Sequence, residues 1–138
     1  MVLRAARPVV LLPLLNRHHR DAKIVSPERL FYYAEQPLLF DGLLRNAADA
    51  AAEGLQPHIA IECRLEQESC IVDVRDNGPG LTAEQREQIF VPFFTTKPGG
   101  SGIGLSLARR IAQAHGGRIT VFANEPRGSV FRLSLPAE

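Results

Sequence analysis

Two stretches of strict alternation, separated by a few polar residues, constrain this chain more than any other feature. Ile59, Ile61, Cys63 and Leu65 recur at every second position, Cys70, Val72 and Val74 do the same, and Glu66-Gln67-Glu68-Ser69 lies between them. A two-residue period puts successive apolar side chains on one face of an extended chain, so the pair reads as an antiparallel hairpin with a short turn. Glu62, Arg64 and Asp73 fall on the other face, which predicts a sheet with its core on one side only.

The layer that covers such a sheet is legible on either side of the hairpin. Leu39, Leu43, Leu44, Ala47, Ala50 and Ala51 recur at three- and four-residue spacing, which predicts a helix over residues 37–53 with Gly54 placed to close it. Thr82-Ala83-Glu84-Gln85 has the form of a capping box at the start of a short helix ending near residue 89. Leu107, Ile111 and Ala114 share one face of a second long helix, from 103 or 104 to 115, and Gly116-Gly117 follows it. Residues 118–123 and 129–135 alternate again around Asn124-Glu125-Pro126-Arg127-Gly128. The order helix, hairpin, short helix, glycine loop, helix, hairpin predicts an α+β fold: a two-layer sandwich whose mixed, mostly antiparallel sheet is covered on one face by helices. Residues 1–36 read as a lead-in segment and residues 37–138 as the single domain.

Composition narrows the function classes. Sixteen Lys and Arg balance fifteen Asp and Glu, for a formal charge of +1, so there is no excess basic charge for a nucleic-acid footprint. With 45% hydrophobic and 22% charged residues the chain has the material for a packed core. The longest apolar run, residues 9–15, falls far short of the roughly 20 residues that cross a bilayer. Asn16-Arg17-His18-His19-Arg20 stands where small cleavage-site residues of a secretory leader would be. Cys63 and Cys70 occupy apolar positions of the alternating segments, as small core hydrophobes of a reducing compartment do, and the four histidines and two cysteines lack zinc-ligand spacing. The expectation is a cytoplasmic module without nucleic-acid or membrane contact.

Two glycine clusters carry the first chemical signal. Asp76-Asn77-Gly78-Pro79-Gly80 follows a predicted strand, and Gly99-Gly100-Ser101-Gly102-Ile103-Gly104 precedes a predicted helix. Glycine lets backbone amides approach a ligand, and a helix N-terminus adds unsatisfied N–H groups and the positive end of its dipole. Neither Lys23 nor Lys97 stands in a P-loop, and the Gly100-x-Gly102-x-Gly104 run lacks the preceding strand and downstream acid of a dinucleotide fold. Taken alone, either cluster fits an ordinary turn as well as a phosphate cradle. Likewise Phe90, Phe93 and Phe94 alone fit a core as well as a hinge.

Four motifs in one order say more. Asn46-Ala47-Ala48-Asp49-Ala50 is followed by Asp76-Asn77-Gly78-Pro79-Gly80-Leu81, by Ile89-Phe90-Val91-Pro92-Phe93-Phe94-Thr95-Thr96-Lys97, and by Gly100-Ser101-Gly102-Ile103-Gly104-Leu105, with His115-Gly116-Gly117 at the end. Over residues 37–136 the chain resembles the catalytic and ATP-binding domain of sensor histidine kinases, in the GHKL superfamily that also contains gyrase B and MutL proteins. That family's α/β sandwich agrees with the layout read from periodicity.

The resemblance implies a set of roles. Asn46 matches the asparagine whose amide oxygen ligates the Mg²⁺ that bridges the phosphates, with Asp49 on the same helix face. Asp76 matches the aspartate that accepts a hydrogen bond from the exocyclic amine of adenine, and Gly78 and Gly80 give the base room. Phe90 belongs to the aromatic box, Thr95, Thr96 and Lys97 begin a short lid, and Gly100, Gly102, Gly104 and Leu105 close over the phosphates with Lys97 offsetting their charge. Ser129, in Gly128-Ser129-Val130-Phe131, matches the hydroxyl position near the adenine. ATP and Mg²⁺ are the implied cofactors. The implied partners are a histidine-bearing dimerisation domain absent from this chain and, through it, a response regulator; a cytoplasmic location includes the cytoplasmic part of a membrane-bound sensor.

One position departs from the pattern. Relatives carry a polar residue four positions before the asparagine, an asparagine in many kinases and a glutamate base in hydrolytic members, and Gly42 stands there instead. Gly42, Asn46, Asp49 and Glu53 share one helix face, while Asp41 points about 100° away. This predicts nucleotide binding with poor ATP hydrolysis and weakened metal coordination. The main expectation is a kinase module that phosphorylates a histidine on another domain. A catalytically weakened regulatory binding module is the alternative, and a hydrolytic ATPase is disfavoured. His18 and His19 lie in a basic turn, without the following acid of a phosphoacceptor histidine.

Overall fold

In this computed structural model, residues 23–25, 37–95 and 102–136 are described. In chain order they form β1 (Lys23–Val25), α1 (Pro37–Ala51), β2 (Ile59–Glu66), β3 (Ser69–Asp76), α2 (Ala83–Gln88), α3 (Gly104–Ala114), β4 (Arg118–Ala123) and β5 (Ser129–Pro136). The two alternating segments make the hairpin they predict, with Ile61 opposite Val74 and Glu66 opposite Ser69. Its turn is tighter than the four polar residues suggest: only Gln67 and Glu68 lie between the strands, and Gln67 has φ 53°.

The strand order is β1-β2-β3-β5-β4. β1 runs parallel to β2, whereas the β2–β3, β3–β5 and β5–β4 pairs are antiparallel, so the sheet is mixed as expected. Lys23–Val25, which the sequence assigns to a lead-in segment, is therefore an edge of the sheet; three residues are too few to display a period.

α1 contacts β2 and β3, α3 contacts β4 and β5, and the two helices contact each other. Leu39, Leu43 and Leu44 of α1 are fully buried against Ile61, Val72, Val74, Phe131 and Leu133 of the sheet. Each such leucine contributes about 2 kcal/mol relative to an exposed one. Cys70 is buried in this core as a free thiol. The side chain of Cys63 lies outside the described residues.

The helix limits and faces differ in detail from the periodic reading. α1 ends at Ala51, so Glu53 lies beyond it, and Gly54 is not among the positive-φ glycines. The buried face of α3 is Ser106, Ala108 and Ala112, with Leu105 and Ile111 packed at its margin, while Ala114 is exposed. Small residues turn inward because the helices approach closely: a Cβ on Gly42 would lie 2.6 Å from the Gly104 carbonyl oxygen and 3.3 Å from the Ala108 Cβ. α2 starts as read, with Thr82 Oγ1 accepting from the Gln85 N–H at 3.1 Å and Gln85 Oε1 accepting from the Thr82 N–H at 2.9 Å.

Asp73 is the clearest correction. The alternation assigns it to a solvated face, but it is 0% exposed. β3 lies between β2 and β5, and the register puts Asp73 opposite Arg132, whose Nε and Nη2 donate to the two carboxylate oxygens at 2.8 and 3.0 Å. Arg75 Nη2 adds a contact at 3.5 Å, and the Arg132 guanidinium lies 4.6 Å from the centre of the Phe122 ring. A central strand lets neighbouring long side chains close over a short acid, which pairing with charge makes tolerable.

Candidate functional site

β3 ends at Asp76, and the chain then turns through Asn77-Gly78-Pro79-Gly80. Asp76 is 1% exposed. Its Oδ1 accepts from the Gly78 N–H at 2.9 Å and from the Ser129 N–H at 3.3 Å, so the carboxylate is tied both to its own turn and to the start of β5. Two amides on one oxygen orient the carboxylate. The turn is held from outside as well. Asn77 Oδ1 accepts from the His58 N–H at 2.9 Å, and Asn77 Nδ2 donates to the Gln56 carbonyl at 2.7 Å. From the β4–β5 turn, Asn124 Nδ2 donates to the Asp76 carbonyl and Arg127 Nε to the Gly78 carbonyl, both at 2.9 Å.

Gly78 is buried against α1, where a Cβ would lie 2.5 Å from the Ala50 carbonyl oxygen. Only glycine permits that approach. Gly42, Asn46 and Ala50 are spaced by four residues and form one stripe along α1. One end of the stripe meets the Asp76 turn at Ala50, and the other meets the first residue of α3 at Gly42, about 12 Å away along the axis. Asn46 sits midway and half-buried, with exposed Asp49 three residues on.

The segment after α2 supplies the third side. Phe90 packs against the core, edge-on to Phe131 with ring centres 6.3 Å apart, and the Arg109 guanidinium lies 5.4 Å from its ring centre. Phe93 is different: it is 73% exposed, with φ 70°, and its N–H donates to the Gly102 carbonyl at 2.9 Å. Gly102 has φ 71°, and a Cβ there would lie 2.5 Å from the Phe93 carbonyl carbon. The two ends of the segment between them are thus joined at one point. Thr95 is exposed, Gly104 opens α3 and Leu105 packs against the core. Thr96, Lys97 and Gly100 lie outside the described residues.

Asp76, Gly78, Gly80 and Ser129 therefore gather at one end of α1, and Gly102 and Gly104 at the other, with Asn46 between. The family of histidine kinase-, DNA gyrase B-, and HSP90-like ATPases matches residues 37–138. The chain belongs to this family. Among curated relatives of this ATPase family, the alginate biosynthesis sensor protein KinB of Pseudomonas aeruginosa is 39% identical over 100 residues, which cover 71% of this chain and 16% of that protein. The sensor histidine kinase ZraS of Salmonella typhimurium is 41% identical over 86 residues, covering 62% of this chain and 18% of that protein. The ATPase-family domain thus spans less than a fifth of the length of these relatives. Among solved structures, the catalytic domain of histidine kinase ThkA superposes with a TM-score of 0.67 at 27% identity, over 97% of this chain and 90% of that one.

Periodicity and motif did not reveal the outer supports of this ATPase-family site. Asn77, Asn124 and Arg127 are polar turn residues whose role appears only once the register brings the β4–β5 turn to the end of β3. The signal open to sequence was the continuation of the β3–β5 pairing, which brings Ser129 level with Asp76.

Proposed function

We propose that this chain is the ATP-binding catalytic domain of a sensor histidine kinase, acting on a histidine carried by a separate dimerisation domain. The observation that carries the reading is the single face of α1 that meets the Asp76 turn at Ala50 and the α3 start at Gly42, with Asn46 midway. An extended nucleotide laid along that face has its base at Asp76 and its phosphates at α3. Asp76 accepts from the exocyclic amine, and a base with a carbonyl at that position is refused because two acceptors would face each other. The amide oxygen of Asn46 is a hard donor of the kind Mg²⁺ takes, and among the described residues no cluster of three His, Cys, Asp or Glu could hold a metal by itself. One hard side-chain donor suits an ion otherwise held by phosphate oxygens and water. Bound there, Mg²⁺ would offset phosphate charge during transfer.

The N-terminus of α3 offers amides and a positive dipole end to the phosphates, and Lys97 supplies charge from the lid. Transfer forms a bond from an imidazole nitrogen of the partner histidine to the γ-phosphorus as the bond to the β-phosphate oxygen breaks, and ADP leaves. Positioning and charge stabilisation suffice for this chemistry. The nucleophile comes from the other domain, and a response regulator receives the phosphoryl group afterwards. Among the described residues no helix is long and apolar enough to cross a membrane, and dependence on ATP favours a cytoplasmic location.

One observation supports the weaker reading of a regulatory binding module. The space a polar side chain at position 42 would need is taken by the Gly104 carbonyl. Calorimetric titration of ATP and ADP, with and without Mg²⁺, into wild-type protein and Asp76→Asn tests the nucleotide site, and saturable binding lost in the variant is expected. Labelled γ-phosphate transferred to a supplied dimerisation domain then separates kinase from regulatory module.

A further inference from the structure

We infer that Asn124 and Arg127, in the turn between β4 and β5, are positioning residues that set the adenine selectivity of Asp76; this rests on the nucleotide reading above. Three residues, Asp76 to Gly78, carry the base-reading carboxylate, and the two side chains hold the carbonyls at the two ends of that segment. Asn124 Nδ2 takes the Asp76 carbonyl and Arg127 Nε takes the Gly78 carbonyl, each at 2.9 Å and across 48 and 49 residues of chain. Between them the Gly78 N–H returns to Asp76 Oδ1. The segment is thus pinned at both ends, and the internal bond converts that pinning into a fixed direction for the carboxylate.

The turn is itself prepared for this work. The Asn124 N–H donates to the Gly128 carbonyl at 3.0 Å, and Asn124 Oδ1 accepts from the Glu125 N–H at 3.0 Å, which leaves the amide nitrogen aimed at β3. Gly128 has φ 105°, and any Cβ there would overlap the Asp76 carbonyl, so the turn backbone lies directly on the strand end. The next residue, Ser129, donates its N–H to Asp76 Oδ1. One turn therefore contacts the main chain and the carboxylate of Asp76 together. Arg127 is an exposed residue whose guanidinium uses Nε, not merely charge, and a planar donor of this kind is not replaced by an ammonium.

Discrimination between bases is the readout that separates positioning from plain stability. ATP is compared with purine riboside 5′-triphosphate, which has hydrogen in place of the exocyclic amine, by calorimetry without Mg²⁺ on wild-type protein, Asn124→Ala and Arg127→Ala. Wild-type protein is expected to prefer ATP. Each variant should lose about fivefold in ATP affinity, as removal of one supporting hydrogen bond does, and under twofold for the analogue. Arg127→Lys should show the same contraction, and it serves where Arg127→Ala lowers the folded fraction in thermal unfolding. Parallel losses for both nucleotides, or no loss for either, would overturn the inference while leaving the adenine site standing. Wild-type protein that binds neither nucleotide, or binds both equally, would overturn the adenine reading and the inference with it.

Discussion

At the scale of single residues, two buried aspartates on one strand do opposite work. Asp73 is neutralised by Arg132 and Arg75 on one face of the sheet, and Asp76 is oriented by backbone amides on the other. Asp73→Ala removes the acid shared by two arginines that are only about a third exposed, and leaves Arg75 its 3.3 Å contact with Glu62 Oε1. The expected loss is near the lower end for breaking a buried pair, about 3 kcal/mol, because both guanidinium groups still reach water; urea unfolding measures it. Asp76→Asn instead keeps shape and removes charge from the carboxylate proposed to meet the base. ATP affinity should fall by about 10- to 100-fold in calorimetry while the unfolding midpoint moves little. An unchanged affinity would remove Asp76 from the adenine site.

At the scale of elements, glycines set the distances between helices and loops. Gly42→Asn supplies the polar residue that the family resemblance leads one to expect, yet its Cβ would collide with the first carbonyl of α3. It should destabilise the fold by about 1–3 kcal/mol in thermal unfolding rather than raise phosphotransfer. Gly102→Ala meets both a positive φ and the Phe93 backbone. It should shift the start of α3, so that the preference for ATP over AMP shrinks in calorimetry; an unchanged ratio would mean that α3 does not grip phosphates. These contacts also mark what sequence could not disclose. Hairpins and helices were legible because their periods express burial, and the order of Asn46, Asp76, Phe90 and the glycines pointed to the candidate site. The inward face of α3 was misread because close helix packing selects alanine, whereas a periodic reading follows leucine. Asp73 looked solvated because a period of two reports which face a residue occupies, not whether neighbouring arginines cover that face.

At the scale of the whole molecule, the proposed function puts the nucleotide-binding parts and the phosphate-accepting histidine on different bodies. The chain incubated with labelled ATP should bind it and incorporate no phosphate, and adding a dimerisation domain from a relative should restore labelling of that domain alone; labelling of this chain would contradict the division. The placement of β3 has a consequence for how the site comes apart. β3 is flanked by hydrogen-bonded strands and buried on both faces, so its amides belong to the class that exchanges with solvent only on global opening. The carboxylate of Asp76 hangs from the end of that strand and is tied to it through the Gly78 and Ser129 amides. On the proposed nucleotide reading, the seat for the base therefore lasts as long as the fold itself.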